Sequence, residues 1–234
     1  VELDSLTLKK DMPFKQVSFK AYRNGTLWQN LFLFAMAREA VSINLTPKKG
    51  RLDALSTDVG DLINRLGFSD QFEKGQAKIE GKVLPNGGFS GELTLKDIKL
   101  KKPGFIMQAV TILGIWDAIS GNDLSFSHGS IPFDLSPNFT LFIKDGVTYG
   151  TVLGITFAGR ASLSSLAISG SVIPAYIINS LPGRIPLIGH LFKDSKGGGL
   201  VGVKYDLTGT PGNPKVSFNP LSSIAPGILG RFFK

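Results

Sequence analysis

Short runs of alternating apolar and polar residues, separated by turn-forming residues, constrain the fold of this chain more than any other feature. After Gly75, the apolar residues Ala77, Ile79 and Val83 alternate with charged neighbours, and Pro85–Gly88 then supplies a turn signal. Such alternation is typical of strands with one dry face and one wet face. The 28 glycines and 13 prolines exceed average usage, which favours many turns. The sequence therefore predicts a mainly β protein with a few short helices.

Two further patterns bear on the shape of the predicted sheet. Residues 1–53 read as a β meander, and the run 26–37 is apolar on both faces of a strand. Such a strand should be covered on both sides or contact lipid on one. In the run 91–100, Leu93 and Leu95 share one face while Ile98 and Leu100 fall on the other. This change of phase predicts a bulge or a turn near Lys96–Asp97, and such a kink would curve the sheet.

A short helix is predicted to start at 56–58, with Asp58 and Asp61 in its first turn and Gly67 just beyond its end. A second helix of about 16 residues is predicted from Pro103, since proline favours the first helical position. It is apolar nearly all round, so it is either a core helix or a helix that lines a groove or touches a membrane. Its apolar stripe supplies our candidate lipid-binding residues: Phe105, Ile106, Ala109, Ile112, Leu113, Trp116 and Ile119.

Charge is unevenly distributed along the chain. Residues 1–102 carry 17 Lys/Arg and 12 Asp/Glu, whereas residues 103–234 carry only 9 and 6. The formal net charge of +8 favours anionic partners such as lipid headgroups, although a solvated basic surface without a partner explains it equally well. The absence of cysteine excludes disulfides, thiolate metal sites and cysteine nucleophiles. The longest apolar segment, Phe105–Trp116, is too short to span a membrane, so we expect any anchor to lie outside this chain.

The sequence contains no recognisable catalytic motif. His128 is predicted in a Ser/Gly-rich turn, and His190 has Asp194 four residues on but no third ligand. No G-x-S-x-G nucleophile motif or ordered phosphate loop occurs. The basic residues are scattered among acids and do not alternate with aromatic residues, which argues against nucleic-acid binding. We therefore predict no enzyme activity, no cofactor and no metal site.

The most distinctive segment is 172–227. It contains a predicted helix, break and second helix over Val172–Phe192, then a predicted strand over Gly199–Leu207. Five ordered stretches carry a family resemblance: TDVGDLINRLG (57–67), FIMQAVTILGIWDAISG (105–121), VIPAYIINS to IPLIGHLF (172–192), GLVGVKYDLTGTPGNPKVSFNPL (199–221) and APG (225–227). Through them, residues 50–234 resemble the C-terminal domain of the AsmA-like family of Gram-negative envelope proteins.

The resemblance implies a function as well as a fold. Proteins of this family are similar to repeating β-groove proteins, in which a highly curved antiparallel sheet forms an apolar groove that carries lipid between membranes. It implies a single domain over 1–234, with apolar helices packed on the sheet. The alternative for residues 1–50 is that their meander belongs to a preceding groove repeat. The resemblance also implies a periplasmic location, as part of a longer protein anchored in the inner membrane. The expected partner is phospholipid or another acyl-chain lipid, bound in support of outer-membrane biogenesis.

An alternative is a structural cap that docks onto an envelope protein or a membrane surface without carrying lipid. The C-terminal segment motivates this alternative, because apolar and basic residues together are typical of interfacial contact. The candidate docking residues are Ile228, Leu229, Arg231, Phe232, Phe233 and Lys234.

Overall fold

The structure is a computed structural model, and its strands and helices position the candidate site. It describes residues 1–25, 27–46, 50–101, 104–115, 124–175 and 202–219. The strands are β1 Glu2–Thr7, β2 Pro13–Asn24, β3 Leu27–Met36, β4 Ala40–Thr46, β5 Arg51–Ser56, β6 Phe72–Glu73, β7 Gln76–Val83, β8 Phe89–Leu100, β9 Leu124–Leu135, β10 Leu141–Tyr149, β11 Leu153–Ala161, β12 Leu166–Pro174, β13 Val203–Thr210 and β14 Asn213–Asn219. The helices are α1 Val59–Arg65 and α2 Gly104–Leu113.

All the strands belong to one open antiparallel sheet. Its order follows the chain from β1 to β14, except that the short β6 pairs with β8 beside the main path. Leu100 of β8 and Tyr205 of β13 belong to one buried apolar cluster. Strands lie about 4.8 Å apart, so a flat sheet would separate these two strands by about 24 Å. The sheet is therefore curved, which confirms the prediction of a mainly β protein with a curved antiparallel sheet.

Irregular positions within the strands accompany this curvature. Asp97 in β8 has a φ of +53°, at the position where the sequence predicts a bulge. The pairing of β10 with both neighbours shifts after Ile143, so β10 carries an extra residue there. Bulges increase local twist and bend a strand, and they are a common means of curving a sheet.

Helix α1 forms where its end signals predict it. The side chain of Asp58 accepts a hydrogen bond from the backbone N–H of Asp61 (3.0 Å), which makes it the N-cap. At the other end Gly67 has a φ of +78°, and its N–H donates to the carbonyl of Asn64 while the N–H of Phe68 donates to that of Ile63. This pair of bonds is a Schellman motif, which favours glycine because the left-handed conformation is strained for residues with a Cβ.

A buried ion pair fastens α1 to the first strands of the sheet. Asp61 Oδ2 accepts hydrogen bonds from Arg65 Nε (2.6 Å) and from the backbone N–H of Arg38 (3.0 Å). The Nη1 of Arg65 donates in turn to the carbonyl of Pro13 (2.6 Å). Burial raises the pKa of Asp61, but these hydrogen bonds outweigh burial, and the pKa lies below its ordinary value of 3.8.

Helix α2 is shorter than the sequence predicts. Gly114 has a φ of +67°, its N–H donates to the carbonyl of Thr111, and the N–H of Ile115 donates to that of Val110. This second Schellman motif ends the helix at Leu113, because the left-handed glycine turns the chain away from the helix axis. Trp116 and Ile119 lie outside the described residues, and so does any continuation of the apolar stripe.

Other sequence predictions also need correction. His128 lies inside β9 and not in a turn, because the alternation of Leu124 and Phe126 outweighs the Ser/Gly-rich composition. The stretch Val172–Phe192, predicted as helix–break–helix with its helix start at Pro174, opens as strand, since β12 runs through to Pro174. The remainder of that helix–break–helix prediction, 176–192, lies outside the described residues. Across the described ranges, the helices are all too short to cross a lipid bilayer.

Candidate functional site

Two rows of directly paired residues make one face of the sheet apolar. Residues opposite each other in antiparallel strands lie on the same face. The first apolar row crosses β2 to β9: Phe19, Leu33, Ile43, Ala54, Ile79, Leu93 and Ile131. The second apolar row crosses β5 to β14: Leu52, Gly81, Gly91, Phe133, Ile143, Gly159, Ile168, Leu207 and Val216. At the spacing of neighbouring strands, the two rows together extend about 50 Å along the sheet.

The two faces of the sheet differ sharply in polarity. Most members of both apolar rows are half-buried, and only Ile131 and Phe133 are fully buried. The other face carries ion pairs between neighbouring strands, such as Arg51 with Glu80 (3.1 Å) and Lys144 with Asp134 (2.7 Å). These polar contacts keep the outer face solvated. The apolar rows therefore offer a continuous surface that water solvates poorly.

The second apolar row ends in a cavity on the concave side of the curved sheet. The cavity measures about 300 Å³ and receives side chains from β6, β8 to β14 and α2. Its lining residues are Phe72, Leu95, Ile98, Leu100, Ile106, Phe126, Ile143, Thr148, Ile155, Phe157, Ile168, Tyr205, Leu207 and Val216. Apart from Thr148 and Tyr205 the lining is wholly apolar, and such cavities stay dry and accept apolar ligands. Its volume lies at the lower end of the about 300–1,000 Å³ of small-molecule sites.

Two aromatic side chains of the cavity wall lie across glycines of neighbouring strands. A Cβ on Gly146 would meet the ring of Phe157 at 2.4 Å, and a Cβ on Gly170 would meet the hydroxyl of Tyr205 at 2.8 Å. Gly170 is paired with both of these aromatic residues. Glycine is therefore required under each ring, since a side chain there would displace it. This packing of aromatic residues over strand glycines fixes the wall of the cavity.

The hydroxyl of Tyr205 is a buried polar group of the cavity wall. It donates a hydrogen bond to the carbonyl of Thr156 (2.9 Å), and burial raises the pKa of the phenol. Tyr205 therefore stays protonated at physiological pH, and its hydroxyl remains the donor of this hydrogen bond. Its ring lies 6.3 Å from that of Phe218, in a tilted arrangement.

Tyr205→Phe should destabilise the protein by about 1 kcal/mol, because it removes one buried hydrogen bond and leaves the ring in place. Urea denaturation of both proteins measures this difference. Phe218→Leu, which keeps an apolar side chain beside the same ring, serves as the comparison for packing alone. A variant Tyr205→Phe as stable as the parent protein would contradict the structural role of the hydroxyl.

The structure places the candidate residues of α2 in different surroundings. Ile106 lines the cavity, and Ala109 is fully buried beside it in the main apolar cluster. Leu113 packs at the edge of that cluster, whereas Ile112 is exposed. Phe105 belongs to α2, but its side chain lies outside the described part of the chain. The proposed docking residues 228–234 also lie outside it.

Most of the cavity lining comes from strands that sequence reasoning did not single out. Leu95, Ile98 and Leu100 were recognised only as a change of phase within one strand. Their convergence on one cavity follows from the positive φ of Asp97, which brings both halves of β8 to the same side. The alternation of Val203, Tyr205 and Leu207 in β13 was a usable signal, because it marks which face of that strand is apolar.

Together these features define a class of protein: an open, curved antiparallel sheet with an apolar inner face that leads into an apolar cavity. Within the described residues no group of three or more His, Asp or Glu side chains is placed to hold a metal ion. Comparison of the chain with protein-family models, curated proteins and solved structures found no match.

Proposed function

We propose that this chain is a non-enzymatic domain of an AsmA-like envelope protein that binds or conducts phospholipid along the apolar face of its sheet. The observation that carries the proposal is the pair of apolar rows on one face of the sheet, the second of which ends in the apolar cavity. A periplasmic location, between an inner-membrane anchor and the outer membrane, belongs to the same proposal. It rests on the resemblance of residues 50–234 to that family.

The physical chemistry of the apolar face suits acyl chains. Each CH₂ group removed from water stabilises a bound lipid by about 0.8 kcal/mol, so a chain that lies along the rows needs no specific polar contact. Movement along the rows exchanges one apolar contact for another and requires no covalent step. We further propose that the helices serve as the cover at the cavity end, since Ile106 and Val110 of α2 belong to the same cluster as strand residues.

Native mass spectrometry of the purified protein tests lipid binding directly. We expect phospholipid to co-purify with the protein and a fluorescent fatty acid to be displaced by added phospholipid. A protein that carries no lipid and does not bind the fluorescent fatty acid would refute the proposal.

Leu93→Glu should reduce bound lipid roughly tenfold, because it places a charge in the first apolar row, where an acyl chain cannot solvate it. Thr94→Glu is the matched control, since Thr94 is the next residue of β8, is equally half-buried and lies on the opposite face. The ratio of lipid to protein, measured by mass spectrometry, compares the two variants. Equal loss of lipid in both variants, or in neither, would contradict binding along the apolar face.

A further inference from the structure

The ends of the strands farthest from α1 and α2 form a distinct edge of the sheet. Four tight turns lie side by side there, at 84–88, 136–140, 162–165 and 211–212, and we call this edge the turn rim. Neighbouring turns of the rim are two strands apart, which is about 10 Å. The four turns contain no charged residue of either sign.

Two of these turns present a large apolar side chain to solvent. Phe139 is 61% exposed and Leu163 is 82% exposed, and Leu163 is the most exposed of the large apolar residues that the structure describes. Phe142, three residues after Phe139, is also 44% exposed. Large apolar side chains grouped at one edge are typical of a surface that contacts a partner or a membrane.

The two turns hold these side chains in fixed positions. In the turn 136–140, the N–H of Ser136 donates to the carbonyl of Thr140 (2.9 Å), and the N–H of Phe139 donates to the carbonyl of Ser136 (3.0 Å). In the turn 162–165, the N–H of Ser162 donates to the carbonyl of Ser165 (2.8 Å), and the hydroxyl of Ser162 accepts from the N–H of Ser165 (3.1 Å). Preorganised turns lose little conformational entropy when their side chains are buried against a partner.

The backbone of Phe139 is a second, independent sign of function. Its φ is +60°, a left-handed conformation in which a bulky side chain is strained and for which Gly or Asn is favoured. Burial of the ring compensates little for this strain, because most of Phe139 is exposed. Strained backbone held by its surroundings clusters at functional positions. The strain at Phe139 is explained if the exposed ring has a use outside the folded chain.

Cations stand directly behind the turn rim. One cross-strand row on the outer face runs through Lys82, Ser90, Asp134, Phe142, Arg160, Ala167, Thr208 and Lys215. The acid of this row, Asp134, is ion-paired with Lys144. Lys82, Arg160 and Lys215 are exposed, and the described residues place no carboxylate within ion-pair distance of them. The row behind the turn rim therefore carries excess positive charge, whereas the four turns themselves are uncharged and partly apolar.

We propose that the turn rim is a membrane-contacting surface, in which Phe139 and Leu163 insert at the headgroup boundary of an anionic lipid surface. The exposed apolar side chains of the rim would reach the acyl boundary of such a surface. The cations just behind them would then lie at the level of the anionic headgroups. This surface is formed by other residues than the apolar face of the sheet and than the segment 228–234 that the sequence offers for docking. It holds whether or not the sheet carries lipid.

Flotation of the full chain with vesicles tests the turn rim. We expect the protein to bind phosphatidylcholine vesicles that contain phosphatidylglycerol, and to bind pure phosphatidylcholine vesicles more weakly. Phe139→Asn combined with Leu163→Ser should reduce binding at least about tenfold, since two apolar side chains leave the interface. Asn suits the left-handed conformation at position 139, so the turn itself is preserved. Arg160→Gln combined with Lys215→Gln should weaken binding about fivefold per charge on the vesicles with phosphatidylglycerol.

Leu66→Ser combined with Phe68→Ser is the matched control, because both side chains are exposed and lie at the opposite edge of the sheet. The control variant should bind as the parent protein does. The proposal is overturned if the parent protein does not bind the vesicles, if the control variant loses as much binding as the rim variant, or if deletion of residues 226–234 abolishes binding while the rim variant retains it. Lipid carried by the same preparations, measured by mass spectrometry, should be unchanged in the rim variants, which separates this result from the outcome for the apolar face.

Discussion

Gly170→Ala is expected to destabilise the protein by about 3 kcal/mol or more, because the added methyl group has no space. An ideal Cβ at this position would lie 1.8 Å from the carbonyl oxygen of Thr156 and 2.8 Å from the hydroxyl of Tyr205. The first of these atoms belongs to the backbone of β11 and cannot rotate away. Either β11 and β12 must separate, or the hydrogen bond between Tyr205 and Thr156 must break. Urea denaturation monitored by circular dichroism measures the loss.

Gly212→Ala is the control for this substitution. Gly212 lies in the turn between β13 and β14, and a Cβ there would meet nothing within 4 Å. A change from Gly to Ala in open space alters stability by less than about 1 kcal/mol, through the unfolded state. Similar losses in both variants would show that contact at Gly170 is not the cause. A stable Gly170→Ala variant would mean that β11 and β12 do not approach as closely as the structure shows.

Asp61→Ala should destabilise the protein by about 3 kcal/mol, because it leaves the guanidinium of Arg65 buried without its carboxylate. The backbone N–H of Arg38 would lose its acceptor at the same time. Glu80→Ala is the matched control, since Glu80 pairs with Arg51 and Lys78 on the exposed outer face. Exposed ion pairs contribute at most about 1 kcal/mol. Thermal unfolding of both variants in the same buffer gives the comparison.

The lowered pKa of Asp61 makes this contribution depend on pH in a defined direction. The folded protein holds the carboxylate ionised to a lower pH than the unfolded chain does. Its contribution to the free energy of unfolding is therefore complete above the ordinary pKa of 3.8 and is lost as the pH falls through the lowered value. The difference in stability between the parent protein and Asp61→Asn should shrink below this pH. A difference that stays constant into strong acid would contradict the assignment.

Features with a local cause could be predicted from the sequence. The start of α1 near Asp58 and the glycine that ends it, Gly67, each depend on a few neighbouring residues, and the structure has both where they were predicted, although Asp58 is the N-cap and not part of the first turn. At Lys96–Asp97 the structure has a left-handed residue but no extra residue, because β8 keeps a single register with β9. The end of α2 shows the limit of this reasoning. Gly114 carried a valid stop signal, but the apolar residues on both sides of it suggested a longer helix. The backbone conformation of one glycine decided the outcome, and hydrophobic periodicity does not report it.

The candidate site could not be assembled from the sequence because it depends on register. A shift of one residue moves every side chain of a strand to the other face, so the two apolar rows exist only when every strand pair is correctly aligned. The extra residue in β10 after Ile143 was invisible in the alternation pattern, yet it decides how β9 and β11 align with β10. Individual apolar positions such as Ile79 and Leu93 were recognised, but their common row was not.

The nearly sequential strand order has a consequence for folding. Each hairpin brings together residues that are close along the chain, so the sheet can form by local pairing of one strand after another. Sheets built in this way tend to fray from their ends, because each strand depends mainly on its neighbours. Helix α2 departs from this pattern, since it precedes β9 in the chain but contacts β12, β13 and β14. The C-terminal half of the sheet should therefore unfold as one cooperative unit, whereas β1 to β4, joined to the rest through β5 and α1, should open first and exchange their amide hydrogens faster.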